Sequence, residues 1–416
     1  MGFPGVDCLW GQHSGNARRF SNVSSPGGTA ADSNGARQVN ERLASYLLDV
    51  TEGRRAGWGA SVVRFFLAGF SKLYGLVVRA RAGLYRLGLF RRHRLGCLVI
   101  SVGNITLGGT GKTPVVEMLA AALRDAGRKV AVLSRGYKGR TSLWSRLFAR
   151  RIAYKPRVVS DGREVLLSSR EAGDEPYMLA RNLPGVVVLA DANRVKAGLY
   201  AIRKFGVDTL VLDDGFQYLR LARTFDVVLI DCTNPFGNGR LLPRGTLREP
   251  LGNLRRAAFF MLTKSNGAAV APIRDTLHGI NPDADIIETT HEPLHLQDTF
   301  NGSQRPLEAL RGKRVVALSA IANPRSFEEA LAALGADVVQ SHRFIDHHRF
   351  SALEVAHAIE EAREHEAAFI VTTEKDAVRL PAIDVRSVPI VFLRVNIRIV
   401  RGAADFNDCV ARLCYV

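Results

Sequence analysis

From residue 96 onward, short apolar runs alternate with stretches of helical period. Leu98–Val102, Val130–Leu133, Val186–Leu189, Thr209–Leu212 and Val227–Ile230 are apolar segments of strand length, and Val115–Asp125 carries the spacing of an amphipathic helix. Continuous apolar strands are buried on both faces. The alternation therefore predicts an α/β fold, a mostly parallel sheet with helices on both faces. The pattern loosens over 291–312, where Pro293, Asn301, Gly302 and Pro306 fall, and then resumes. Strand Val315–Ser319, helix Phe327–Leu334, strand Asp337–Val339, helix Ala352–His365 and strand Ala368–Thr372 follow. This predicts a core domain over 96–290, a linker over 291–312 and a second, smaller α/β domain over 313–416.

The segment before residue 96 has a different character. Residues 1–53 are rich in Gly, Ser, Asn and Ala without apolar period, which predicts a disordered extension or an upstream start codon. They hold no apolar signal-peptide core; their Arg and Ser content leaves a mitochondrial transit peptide as an alternative. Over 54–95, aromatic and aliphatic residues are broken every seven or eight positions by Arg or Lys. Arg64 and Lys72 fall inside any window of the ~20 apolar residues that a spanning helix needs. Each would cost about 2.5–3.5 kcal/mol at mid-bilayer. A basic amphipathic helix lying in the headgroup layer avoids that cost, the alternative being a helix packed on the protein's own core.

Charge sharpens this reading. The chain of 416 residues has a net charge of +17, and no acidic residue lies between Glu52 and Glu117. Arg64, Lys72, Arg79, Arg81, Arg86, Arg91, Arg92 and Arg94 crowd this stretch, which asks for an anionic partner. Interleaved aliphatics favour an anionic membrane surface, and no nucleic acid is expected. The five cysteines are scattered without a CxxC pair, so neither a disulfide framework nor a zinc knuckle is indicated, and a reducing compartment fits.

Chemistry first shows at the end of strand Leu98–Val102, where Gly103-Asn104-Ile105-Thr106-Leu107-Gly108-Gly109-Thr110-Gly111-Lys112-Thr113 leads into a helix. Strand, glycine-rich loop and helix are the setting of a phosphate-binding P-loop. Small residues let backbone N–H groups curl around phosphates at the positive end of the helix. Thr106, Gly108, Gly109, Thr110, Gly111, Lys112 and Thr113 are the expected nucleotide-binding residues. Lys112 would reach the β and γ oxygens, Thr113 would ligate Mg²⁺, and Arg135 is a further candidate phosphate contact. Strict spacing asks for Gly where Thr106 stands. Leu107 occupies the slot that is Lys in membrane-cycling partition ATPases, which counts against a P-loop ATPase switch, the rival reading.

Strand Thr209–Leu212 ends in Asp213-Asp214-Gly215-Phe216-Gln217. Adjacent carboxylates at a strand's carboxyl end beside a P-loop suit a Mg²⁺ shell, whereas Asp-Asp-Gly in isolation is a common turn. Asp174, ahead of the helical run Tyr177–Arg181, reads by itself as a helix cap. Asp346-His347-His348 is an acid–base or metal candidate; no third ligand stands at zinc spacing.

Taken together, these stretches resemble the tetraacyldisaccharide 4'-kinase (lipid A 4'-kinase) family. The resemblance runs from about Ala56 to the carboxyl terminus and rests on Ser101–Pro114, Leu133-Ser-Arg-Gly-Tyr137, Ala172-Gly-Asp-Glu-Pro176 and Leu212–Gln217. Gly237-Asn-Gly239, Leu242-Pro-Arg-Gly245, Leu247-Arg-Glu-Pro250 and Thr372-Thr-Glu-Lys-Asp376 extend it. The family's loop also begins Gly-Asn-x-Thr, which accounts for Thr106. The resemblance implies a P-loop NTPase-type core, a second domain closing over the active site, and an amino-terminal helix at the cytoplasmic face of the bacterial inner membrane. It implies ATP and Mg²⁺ as cofactors and a tetraacyldisaccharide 1-phosphate as acceptor. It casts Asp174 as catalytic base with His347 as its partner, assembled by closure of the cleft. Asp213 and Asp214 would serve the metal, and Arg248, Glu249, Gln217 and Tyr218 the acceptor; Tyr218 stands where members commonly carry His.

Overall fold

The structure is a computed structural model that describes residues 49–51, 55, 57–136, 155–265, 269–383 and 387–414. The extension read over 1–53 lies, apart from 49–51, outside the described residues, as does Tyr137. The chain divides into two compact units, residues 1–61 and 62–416, and the sheet belongs to the second.

Its strands are β1 (Leu98–Asn104), β2 (Val130–Ser134), β3 (Arg157–Asp161), β4 (Val187–Ala190), β5 (Thr209–Asp213), β6 (Phe225–Asp231) and β7 (Phe259–Thr263). They continue with β8 (Asp285–Asp298), β9 (Gln304–Arg305), β10 (Arg314–Ser319), β11 (Asp337–Arg343), β12 (Phe369–Thr373) and β13 (Ile390–Arg401). The helices are α1 (Trp58–Arg86), α2 (Lys112–Asp125), α3 (Ser169–Ala172), α4 (Asp174–Asn182), α5 (Arg194–Phe205), α6 (Val270–Ile280), α7 (Pro324–Ala333), α8 (Ala352–Glu364), α9 (Glu374–Ala377) and α10 (Ala403–Cys414). The expected α/β pattern is present, and each strand and helix singled out from sequence falls on an observed element.

All strands join one sheet in the order β11-β10-β12-β13-β8-β7-β6-β1-β5-β2-β4-β3, with β9 on β8. Pairing is parallel except at β3/β4, β8/β9 and β8/β13. β1 lies between β5 and β6, buried along its whole length, because each of its apolar residues meets a helix layer on one face or the other. Val115, Val116, Leu119 and Leu123 of α2 cover one face, and Val195, Ala197 and Ala201 of α5 the other.

The stretch 291–312 carries the second half of β8, then β9 and a single turn of 3₁₀ helix over Leu307–Leu310. β8 runs through Pro293, which sits at an irregularity in its pairing with β13, the place where a strand tolerates a missing N–H. The antiparallel pair β8–β13 connects the β7 side of the sheet to the β12 side.

Helix α1 is 29 residues, about 43 Å at 1.5 Å per residue, and is long and apolar enough to cross a membrane by length and composition alone. Most of it is uncovered: Phe65, Phe66, Phe70, Leu73, Leu76 and Val77 are all exposed. Its other side docks on the loop before Pro250, with the Ser71 hydroxyl donating to the Leu241 carbonyl (2.9 Å) and Tyr74 to that of Arg248 (2.9 Å). Gly75 makes this close approach possible, since a Cβ there would lie 2.7 Å from Leu241 Cδ1.

Candidate active site

The glycine-rich loop leaves β1 at its carboxyl end and turns into α2. Gly103 packs so tightly on Phe216 that a Cβ would fall 2.8 Å from its backbone nitrogen. Gly111 caps α2 in the left-handed region (φ 76°), and no side chain caps the helix. The amides of the first turn are thus left for an external anion. Thr106 and Thr110 are buried; the Thr106 carbonyl accepts from Asn104 Nδ2 (2.8 Å), and the Thr110 carbonyl accepts from Thr263 Oγ1 (3.1 Å). Thr106 also bridges to Leu247, which fastens the loop to the segment bearing Arg248. Lys112 Nζ donates to Asn104 Oδ1 (3.2 Å) and stands 4.0 Å from Asp214 Oδ1.

Asp213 and Asp214 end β5 and have opposite surroundings. Asp213 is buried and accepts from Ser134 Oγ (3.0 Å). Burial, with the charge of Glu175 beside it, pushes its pKa up to about 6. Asp214 lies in the left-handed region (φ 51°) and receives a bidentate pair from Arg248, at 2.7 and 3.0 Å. Burial alone would raise its pKa, but the Arg248 hydrogen bonds and charge, with Lys112 and Arg194, outweigh it and hold the carboxyl below its ordinary range. A buried carboxylate with another beside it, in the cavity that Lys112 enters from the start of α2, is an all-oxygen donor pair, and this suits Mg²⁺.

Asp174 does not cap its helix. Gly173 is the cap residue of α4 (φ 92°) without a side-chain hydrogen bond, and Asp174 opens the first turn. Arg349 donates to its Oδ1 and Arg379 Nε to its Oδ2, both at 2.8 Å. His347 Nδ1 lies 3.8 Å from Oδ2, beyond hydrogen-bond range, and Arg379 Nη2 is 3.0 Å from the same nitrogen. Arg379 is itself buried and also binds Asp376 Oδ1 (2.9 Å) and the Ala320 carbonyl (3.2 Å). His347 adopts φ 68°, a conformation that costs a side-chain-bearing residue about 1–2 kcal/mol. On its other side, His347 Nε2 lies 3.4 Å from Lys375 Nζ and 4.0 Å from Asp346, which itself pairs with Lys375 (3.3 Å); His348 instead pairs with Glu354 (3.0 Å) and stacks on Phe344.

These groups meet in one cavity of about 230 Å³ whose walls include Lys112, Ser134, Arg135, Asp174, Glu175, Asp213, Asp214 and His347. A larger hollow of about 680 Å³ lies at the other end of β1, lined by Arg94, Cys97, Arg128 and Arg223, away from every group just described. Of the acceptor candidates, Gln217 Nε2 donates to the Asn104 carbonyl (2.9 Å), and its Oε1 is buried without a partner. Tyr218 lies under the Arg194 guanidinium, 5.2 Å from the ring centre. Glu249 is buried and accepts from Arg256 (2.9 Å) and Asn253 (2.6 Å), both at Oε2.

Comparison with known proteins decides the family. The family model described as tetraacyldisaccharide-1-P 4'-kinase matches residues 63–414. The chain belongs to the tetraacyldisaccharide 4'-kinase family. It is 39% identical to the tetraacyldisaccharide 4'-kinase of Halothermothrix orenii over 360 residues, 84% of this chain and 91% of that one. It is 46% identical to that of Anaeromyxobacter dehalogenans strain 2CP-C over 328 residues, 78% and 83% of the two chains. Among solved structures, LpxK from Aquifex aeolicus, crystallised in complex with ATP, superposes with a TM-score of 0.66 at 29% identity, covering 85% of this chain and all of that one. As a member of this family the protein is a kinase.

Sequence reasoning missed three residues at this candidate site. Arg349 and Arg379 hold Asp174, and Glu175 raises the pKa of Asp213. The signals were present: Arg349 follows the Asp346-His347-His348 run, and Arg379 follows Thr372–Asp376 by one helical turn.

Proposed function

We propose that this kinase transfers the γ-phosphoryl group of ATP to the 4'-hydroxyl of a tetraacyldisaccharide 1-phosphate in lipid A biosynthesis, at the cytoplasmic face of the bacterial inner membrane. The observation that carries the reading is the single cavity in which the P-loop lysine and two strand-end carboxylates face Asp174 and His347. ATP binding is supported by the uncapped amides of α2 and by the likeness to a relative solved with ATP.

Thr113 and Asp213, with Asp214 alongside, would hold Mg²⁺, which when bound neutralises charge on the transferring phosphate oxygens. Lys112 is fixed by Asn104 to reach the terminal phosphates. The acceptor hydroxyl loses its proton only as the new P–O bond forms, so the base must be in place at that moment. Asp174 fits: each oxygen accepts one guanidinium hydrogen bond and keeps a second lone pair. Closure that brings His347 within hydrogen-bond range, in place of Arg379, would complete the pair. We read residues 96–290 as the nucleotide core, 291–312 as the connection and 313–416 as the part that closes. Gln217 would serve a sugar hydroxyl once movement uncovers its buried, unpartnered Oε1, and Arg248 has a guanidinium for the acceptor side once Asp214 is engaged elsewhere.

A four-chain lipid does not leave the bilayer cheaply, at about 0.8 kcal/mol per buried CH₂. The exposed apolar side of α1, flanked by Arg64, Lys72 and Arg79, supports docking on an anionic membrane surface. The experiment is incubation with γ-labelled ATP, Mg²⁺ and the tetraacyldisaccharide 1-phosphate. Label on the distal sugar, lost in Lys112→Ala, is the expected result. Nucleotide hydrolysis without labelled lipid would overturn the proposal.

A further inference from the structure

A second group of ligating side chains lies at the outer edge of the sheet, on β11 and the helix α8 behind it. Gln340 and His342 are two apart on the strand and so share a face; His357 and Glu361 are four apart on the helix and do the same. The two faces meet. His342 Nε2 lies 2.6 Å from Glu361 Oε2, and His357 Nδ1 lies 3.5 Å from Glu361 Oε1. The ligand atoms of His342, His357 and Glu361 all fall within 4.8 Å of one another. Gln340 Nε2 is 3.4 Å from Glu361 Oε2, and a flip of that amide would present its oxygen at the same place.

We propose that His342, His357 and Glu361, with Gln340 or water as fourth ligand, form a binding site for a divalent transition-metal ion, Zn²⁺ fitting best. Ligand bonds of ~2.0–2.1 Å put the donors of a tetrahedral ion about 3.3 Å apart, and the His357–Glu361 separation already matches this. The His342–Glu361 contact is shorter, yet His342 Nε2 is buried without a hydrogen-bond partner; an ion entering here takes that nitrogen as a ligand, and any proton on it leaves to solvent. Two imidazoles and one carboxylate select Zn²⁺ over Mg²⁺ or Ca²⁺, which prefer oxygen alone. A surface ion pair would need only one histidine, yet Glu361 serves two, whose rings stand 5.9 Å apart and nearly perpendicular. β11 and α8 also bracket residues 344–351, the segment bearing His347 and Arg349. An ion here would tie both ends of that segment together. Metal binding at this edge is independent of the kinase reading.

The test uses the full chain with Zn²⁺ titrated calorimetrically in excess Mg²⁺, so that hard-cation sites are filled. One Zn²⁺ per chain is expected, with a melting temperature at least about 2 °C higher when Zn²⁺ is saturating. Co²⁺ in its place should give the visible absorption of a tetrahedral site. His357→Ala, at a mostly exposed position, and His342→Ala should each weaken binding at least tenfold and leave metal-free kinase folding and Mg²⁺-dependent turnover unchanged. No stoichiometric Zn²⁺ binding by the wild type, or equal binding by the His342→Ala/His357→Ala double variant, would overturn the proposal.

Discussion

Replacing Asp213 by Asn should make the metal-free protein more stable and the enzyme inactive. The carboxyl is buried, and its pKa stands near 6 instead of 3.8. In the folded protein it therefore keeps its proton to higher pH than in the unfolded chain. Between about pH 4 and 6 the folded state binds more protons, so stability falls as pH rises and stays low above that range. A rise from 3.8 to about 6 corresponds to about 3 kcal/mol. Asn cannot ionise and its amide oxygen still accepts from Ser134, so Asp213→Asn escapes this loss. Reversible urea unfolding without Mg²⁺ should show the variant more stable by up to about 3 kcal/mol at pH ~8 and equal to wild type at pH ~4. Turnover should be lost at both, a gain in stability set against function. A stability difference independent of pH, or a wild type more stable at the higher pH, would refute the reasoning.

Arg379→Met removes the buried partner of both Asp376 and Asp174 and should cost about 3–5 kcal/mol of stability, read by the same unfolding assay. A double-mutant cycle with Asp174→Ala should then show coupling of at least about 0.5 kcal/mol, and strict additivity would show that the two do not interact. Arg248→Lys keeps the charge but loses the two-pronged grip on Asp214, so turnover should drop while the fold persists by circular dichroism. Changing Phe65, Phe66 and Phe70 together to Ser should abolish sedimentation with anionic vesicles and raise KM in mixed micelles without lowering the melting temperature, since all three are exposed.

The elements that sequence pattern revealed are those with one simple rule. β1, β2, β4, β5 and β6 are buried on both faces and read as unbroken apolar runs, and α2 carries its apolar stripe at helical spacing. β8 was invisible because its burial alternates irregularly and it contains Pro293, so its second half fell in the stretch 291–312 that the pattern marks as a linker. Pairing makes it a strand: β7 holds its first residues, and β13, more than ninety residues away at its nearest register, runs along the rest. At the site, the glycines and Lys112 are tied to local backbone geometry and were legible. Asp174 was ambiguous locally: a carboxylate after Gly looks like a cap whether it caps or faces a cavity, and only the distant Arg349 and Arg379 distinguish the two. Glu249 matched its motif, and its buried pairing with Arg256 could not be read from the motif.

The place of β1 in the sheet also bears on how the protein is made. Its neighbours on either side, β5 and β6, lie more than a hundred residues downstream, so a nascent chain holds the glycine-rich turn without the flanking strands that shape it. At ribosomal speeds of ~5–20 residues per second, about 6–25 s separate the emergence of Asn104 from that of Asp231. Fragments that stop before Asp231 should therefore fail to retain nucleotide on a filter, however intact their glycines.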